Sequence, residues 1–189
     1  FGLGMTPGNK NDFNQFSHAK DFIDTVISSP FVDKSQIAVV GMSLGGAKTG
    51  YAAYPHPNVR AVLMLSSPFD LTLTKENMTT AEYLIFRIFG FSFNVSPAKM
   101  KEYSAIHHFK SEGIVLDGNT KPTPNQDRVF LMANENDPAV TVHNTYNAIT
   151  ELQLPPSNYR IFPRGSHAFQ GNEPFVVMEI YQFLKKIFE

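Results

Sequence analysis

Apolar residues recur at helical spacing over residues 13 to 27, where Phe13, Phe16, Phe22, Ile23, Val26 and Ile27 fall on neighbouring turns and Lys20, Asp21 and Asp24 fall mostly elsewhere. The pattern predicts an amphipathic helix packed on something flat, ended by Ser29-Pro30. The next pattern differs. Residues 36 to 40, "QIAVV", form a continuous apolar run of the kind buried on both faces of a parallel sheet. A helix should follow to about Tyr54, broken by Pro55 and Pro57. Further strands are predicted at 61–65, 128–132 and 159–162, with helices at about 140–152 and from Glu173 onward. Strands alternating with helices make βαβ units and a mostly parallel sheet covered by helices on both faces, which is an α/β fold.

One stretch breaks that rhythm. Residues 71–127 separate two strands by more than an ordinary crossover needs. They hold a Phe-rich apolar segment, "AEYLIFRIFGFSF" (81 to 93), and then a polar tract near 117–127. The expectation is a core built from 1–70 and 128–189 with an inserted helical cap at 71–127. The blander reading is an ordinary helix with a long surface loop.

Composition narrows the partners. The 189 residues suit one domain, and 42% hydrophobic against 17% charged residues is a globular balance. A formal net charge of −1 without a Lys/Arg cluster argues against nucleic acid or an anionic membrane surface. No cysteine is present, which excludes disulfides, Cys-based zinc sites and a cysteine nucleophile and agrees with a reducing, cytoplasmic compartment. The chain starts at Phe1 without a signal-like segment, and a trimmed start would erase one. No apolar run reaches the length of a membrane span. Asn77-Met78-Thr79 and Asn94-Val95-Ser96 fit a glycosylation triplet that arises often by chance.

The chemistry concentrates in "VVGMSLGGAKTG", residues 39 to 50. A phosphate-binding loop needs Gly, four residues and then Gly-Lys-Ser/Thr. Gly41 and Gly46 have that separation, but Ala47 intervenes before Lys48-Thr49 and turns the lysine by about 100° around the helix. Gly-x-Ser-x-Gly is matched without error by Gly41-Met42-Ser43-Leu44-Gly45. Between a strand and a helix, this pattern places the serine on a strained turn above the sheet, with glycines on either side admitting close backbone. The following helix N-terminus favours developing negative charge.

A serine hydroxyl needs a base, and the base needs an orienting acid. Asp137 lies in "ANENDPAV", just past strand 128–132, and His167 lies in "PRGSHAF", just past strand 159–162. The carboxyl ends of parallel strands form one rim, and the order Ser, acid, His is that of a nucleophile elbow and its partners. The blander readings make Ser43 a helix N-cap, Asp137 a turn residue before Pro138 and His167 a surface histidine. Asp70, which also follows a strand, competes as the acid. Adjacent His107 and His108 point in different directions and lack a carboxylate pattern, so packing or exposure fits them better than metal binding.

"GMSLGG", "NENDPAV" and "GSHAF" resemble the nucleophile, acid and histidine segments of the α/β-hydrolase superfamily. "SPFVDKSQIAVVGMSLGG" is especially similar to its dienelactone-hydrolase-like and prolyl-oligopeptidase-related esterases and peptidases. The similarity runs along the chain and is weakest across 71–127. It implies Ser43 as nucleophile, His167 as general base and then acid, and Asp137 as orienting carboxylate. The dienelactone enzymes carry cysteine where this chain has Ser43, so their substrate does not transfer. The resemblance also implies that about four strands usually found earlier are missing, together with the loop carrying a second oxyanion donor. The Leu44 N–H can supply one donor. Strand 36–40 would then be an exposed edge open to self-association or to a partner segment.

The expected activity is hydrolysis of a carboxylic ester or related acyl bond in a small-molecule substrate, through an acyl-enzyme and with no metal or organic cofactor required. Met42, Phe86, Phe89, Phe91 and Phe93 are the expected substrate contacts, although a Phe-rich stripe is more often plain core. A peptidase of the same fold and a non-catalytic hydrolase-fold binding module are the alternatives.

Overall fold

The structure, a computed structural model, describes residues 15–72 and 96–189. Four strands, β1 (Ala38–Met42), β2 (Ala61–Leu65), β3 (Val129–Asn134) and β4 (Tyr159–Phe162), form one sheet in chain order. Every neighbouring pair is parallel, with Met42 opposite Leu65, Leu65 opposite Met132 and Asn134 opposite Phe162. All four carboxyl ends therefore lie along one rim.

Side-chain alternation assigns the two faces. Val62, Met64, Val129 and Leu131 point into a cluster with Ile23 and Ile27 of helix α1 (Gln15–Ser28) and with Ala148 and Leu152 of a later helix, Val142–Leu152. Leu63, Leu65, Phe130 and Met132 point the other way, onto Val176 and Phe183 of the last helix, Glu173–Phe188. β2 and β3 are buried along their whole length. Helices on both faces of an all-parallel sheet make the doubly covered α/β architecture that the alternation of patterns predicts.

Several details differ from the sequence expectation. β1 starts and ends two residues later than residues 36–40, because its pairing with β2 carries on through Gly41 and Met42. It is an edge strand among the described residues, with Val40 47% and Met42 44% exposed, and so it is not buried on both faces. On α1, Phe16, Ile23 and Ile27 are buried while Phe22 is 68% exposed. Phe22 lies about 100° around the helix from Ile23, off the packed stripe.

The helix after Ser43 begins as α2 (Leu44–Lys48) and continues as a π-helical turn, Thr49–Ala53. Beyond Ser96, helix α3 (Pro97–Tyr103) is N-capped by the Ser96 hydroxyl, which accepts from the Lys99 N–H. Tyr103 at its end stacks on Phe16 and meets Tyr51 edge-on, so this segment packs against α1 and the π-turn. We number the remaining helices α4 (Val142–Leu152) and α5 (Glu173–Phe188). Residues 81 to 93, with Phe86, Phe89, Phe91 and Phe93, lie outside the described residues.

Far from the rim, Arg128 just before β3 is wholly buried. Its guanidinium donates to the carbonyls of Tyr54 and Val59 at 2.9 and 2.8 Å and lies over the Tyr54 ring. Burial pushes its pKa down to about 10, which leaves it charged at neutral pH. It fastens the end of the π-turn to the sheet. No helix among the described residues is long and apolar enough to cross a membrane.

Candidate active site

Ser43 sits at φ 55, ψ −127, immediately after β1. An L-residue adopts such a backbone only when its surroundings impose it. Here they do so from both sides. The Ser43 N–H donates to Leu65 O at 2.8 Å, prolonging the β1–β2 ladder, and the Ser43 carbonyl accepts from Ala47 N–H at 3.1 Å, so the helix starts at once.

The flanking glycines have separate roles. A Cβ on Gly41 would overlap the Thr49 hydroxyl and the Gly45 carbonyl, and one on Gly46 would overlap the Ser67 hydroxyl. A Cβ on Gly45 would meet nothing among the described residues. Among the described residues, close approach therefore depends on Gly41 and Gly46 rather than on the motif's second glycine, Gly45. Ser66, at the end of β2 on the same rim, is also at positive φ (42°), and its buried hydroxyl has no hydrogen-bond partner among the described residues. Two strained serines thus lie side by side.

Asp137 follows β3 with its side chain fully buried. Its Oδ1 accepts the N–H groups of Ala139 and Val140 at 2.8 and 3.0 Å. His167 Nδ1 lies 2.9 Å from Oδ2 and 3.1 Å from Oδ1. Burial pushes the Asp137 carboxyl up, but the hydrogen bonds from His167, Ala139 and Val140 outweigh it and hold the group below its usual range. An ionised carboxylate only accepts hydrogen bonds, so Nδ1 carries the proton and Nε2 of the neutral ring keeps its lone pair. The imidazole is one quarter exposed, so it remains open to a reacting partner.

The pair also predicts a pH dependence. Because the carboxyl is lowered in the folded state, its contribution to stability is present above its unfolded pKa of about 3.9 and is lost as pH falls through the folded value. Wild type should melt well above Asp137→Asn at neutral pH, and the gap should close in acid. A gap of constant width in thermal melts across that range would contradict the pairing.

The structure brings Asp137 and His167 together and sets Ser43 on the same rim. The hydrogen bonds of the described residues do not include one between Ser43 Oγ and the His167 ring; such contacts often tighten only when substrate is bound. Leu44 is the first residue of α2, where a backbone N–H lacks an intrahelical acceptor. Met42 is exposed beside it. Asp70 is turned into its own loop, where Oδ1 accepts from the Thr72 N–H and hydroxyl at 2.8 and 2.6 Å. His107 is exposed, and His108 Nε2 donates to Glu102 O. Lys48 is half-buried, and burial pushes its ammonium below its ordinary value.

A model of the prolyl oligopeptidase family matches residues 8–189. The chain belongs to the prolyl oligopeptidase family. Within this family assignment, two solved structures show the α/β-hydrolase fold of the chain. One is acetyl xylan esterase 1 from Thermoanaerobacterium sp. JW/SL YS485, at 15% identity and TM-score 0.52, covering 99% of this chain and 62% of that one. The other is a 2,6-dihydroxy-pseudo-oxynicotine hydrolase, at 13% identity and TM-score 0.53, covering 92% of this chain and 46% of that one. The chain thus spans less than two thirds of the length of either. No curated protein matches it.

Sequence reasoning missed Asn134, Gly165, Phe169 and Asn172, which hold the His167 loop. Phe169 is buried at φ 59 against Phe162. A polar residue closing the otherwise apolar β3 was the available signal for Asn134.

Proposed function

We propose that this family member is a serine hydrolase acting on a carboxylic ester or related acyl bond. Ser43 attacks the carbonyl carbon while His167 Nε2 takes its proton. His167 then returns that proton to the leaving group, and water hydrolyses the acyl-enzyme by the same route. Asp137 keeps the ring in the required tautomer and stabilises the imidazolium that forms. The Leu44 N–H offers one donor to the oxyanion. The observation that carries this reading is the 2.9 Å pairing of His167 with a buried, doubly anchored Asp137 on the rim where Ser43 is strained. Met42, and Phe86, Phe89, Phe91 and Phe93 if 71–127 forms a cap, are proposed to contact the acyl group.

Cleavage of a peptide bond is the second reading, favoured by the family's name, whereas one of the two similar structures is an esterase. A chain-length panel of p-nitrophenyl esters beside peptide amides decides between them. The ester reading expects turnover on the esters that depends on acyl length and is negligible on the amides. Preferred cleavage of the amides would make it a peptidase, and no turnover on either would reject both readings.

A further inference from the structure

We propose that Asn134 is a positioning residue that sets His167 against Asp137, an inference that rests on the proposed function. Asn134 closes β3 and is wholly buried. Its Nδ2 donates to the Ser166 carbonyl at 2.7 Å, one peptide before His167. The same carbonyl accepts from Phe169 N–H at 2.9 Å, closing the turn that carries the histidine. At its other end, Oδ1 accepts from Asn172 Nδ2 at 3.2 Å, and that Nδ2 also donates to the Arg164 carbonyl. Two amides thus tie both sides of the loop to the strand end.

The backbone of Asn134 reaches the acid as well, its carbonyl accepting from Asp137 N–H at 3.3 Å. One residue therefore holds the acid by its main chain and the histidine loop by its side chain. Gly165 makes the arrangement possible. It sits at φ 148, and a Cβ there would overlap Asn134 Oδ1 and crowd Asn172 Nδ2. Beyond these amides the loop is held by the buried Phe169, past His167, and by the His167–Asp137 contact itself, whose ring is partly open to water. Without the amide, the segment ahead of His167 loses its tie to β3 while Asp137 keeps its own anchors.

Asn134→Leu keeps the branched shape at Cγ, with somewhat greater bulk, and every backbone hydrogen bond, but cannot donate to Ser166. A misplacement of about 1 Å costs on the order of 10²-fold. The expected result on the best ester or amide substrate is therefore a kcat lowered by about 10²-fold with little change in KM. In NMR, the far-downfield proton of His167 Nδ1–H bridging Asp137 should be present in wild type and lost or broadened in Asn134→Leu, with core methyl signals unchanged. Asn172→Ala, which removes one of the two ties, should weaken both readouts in the same direction and serves if Asn134→Leu unfolds.

Loss of the downfield proton in either variant supports the positioning role even if wild type cleaves nothing, an outcome that would sink the proposed function alone. A downfield proton that persists in both variants overturns the positioning role, whatever happens to kcat.

Discussion

Ser43→Ala is expected to remove turnover by about 10⁴- to 10⁶-fold in kcat, because nucleophile and base act as a unit. The fold should survive, since the strained turn is held by backbone bonds to Leu65 and Ala47 that alanine keeps. His167→Ala should cost about as much, and the double variant little more than either single one. The measurement is kcat on the best panel substrate, with circular dichroism as the check on folding. A folded Ser43→Ala protein retaining turnover within about tenfold of wild type would move the chemistry to another residue.

The second large effect separates two aspartates. Asp137→Asn should lower kcat by roughly 10⁴, because an amide can donate to Nδ1 and hold the wrong tautomer with Nε2 protonated. Asp70→Asn should do far less. Its carboxylate is engaged with Thr72 in its own loop, whereas Asp137 is buried against the ring. Side-by-side kinetics of the two variants decide the matter. The reverse ranking would place the orienting acid at the end of β2.

Much of this site could be read from the sequence because its parts are local. The apolar run into Gly-x-Ser-x-Gly announces a strand, a tight turn and a helix, and β2 and β4 fall at the expected residues 61–65 and 159–162. Boundaries failed where pairing outlasted hydrophobicity. β1 continues through Gly41 and Met42, and β3 runs to Asn134, since a ladder needs only backbone groups and a partner strand. The π-turn at Thr49–Ala53 has no counterpart in apolar spacing, so the sequence shows an uninterrupted helix there.

The support of the site was hidden for a different reason. Asn134 and Asn172 are separated by 38 residues and meet only because β3 and the loop after β4 are neighbours in space. Gly165 reads as a loop glycine until the amide it accommodates is seen. The steric role of Gly46 likewise depends on Ser67, which is remote in sequence, whereas a Cβ on Gly45 would meet nothing among the described residues. Local pattern reports which groups could react, and tertiary contacts report what holds them.

Covalent labelling tests the central claim most directly. The protein is treated with a fluorophosphonate, digested, and the modified peptide mapped by mass spectrometry. The account expects one adduct on Ser43, formed in wild type, absent in Ser43→Ala, and slowed severely in His167→Ala. An adduct on another residue, or none in a folded wild-type protein, would contradict Ser43 as the nucleophile.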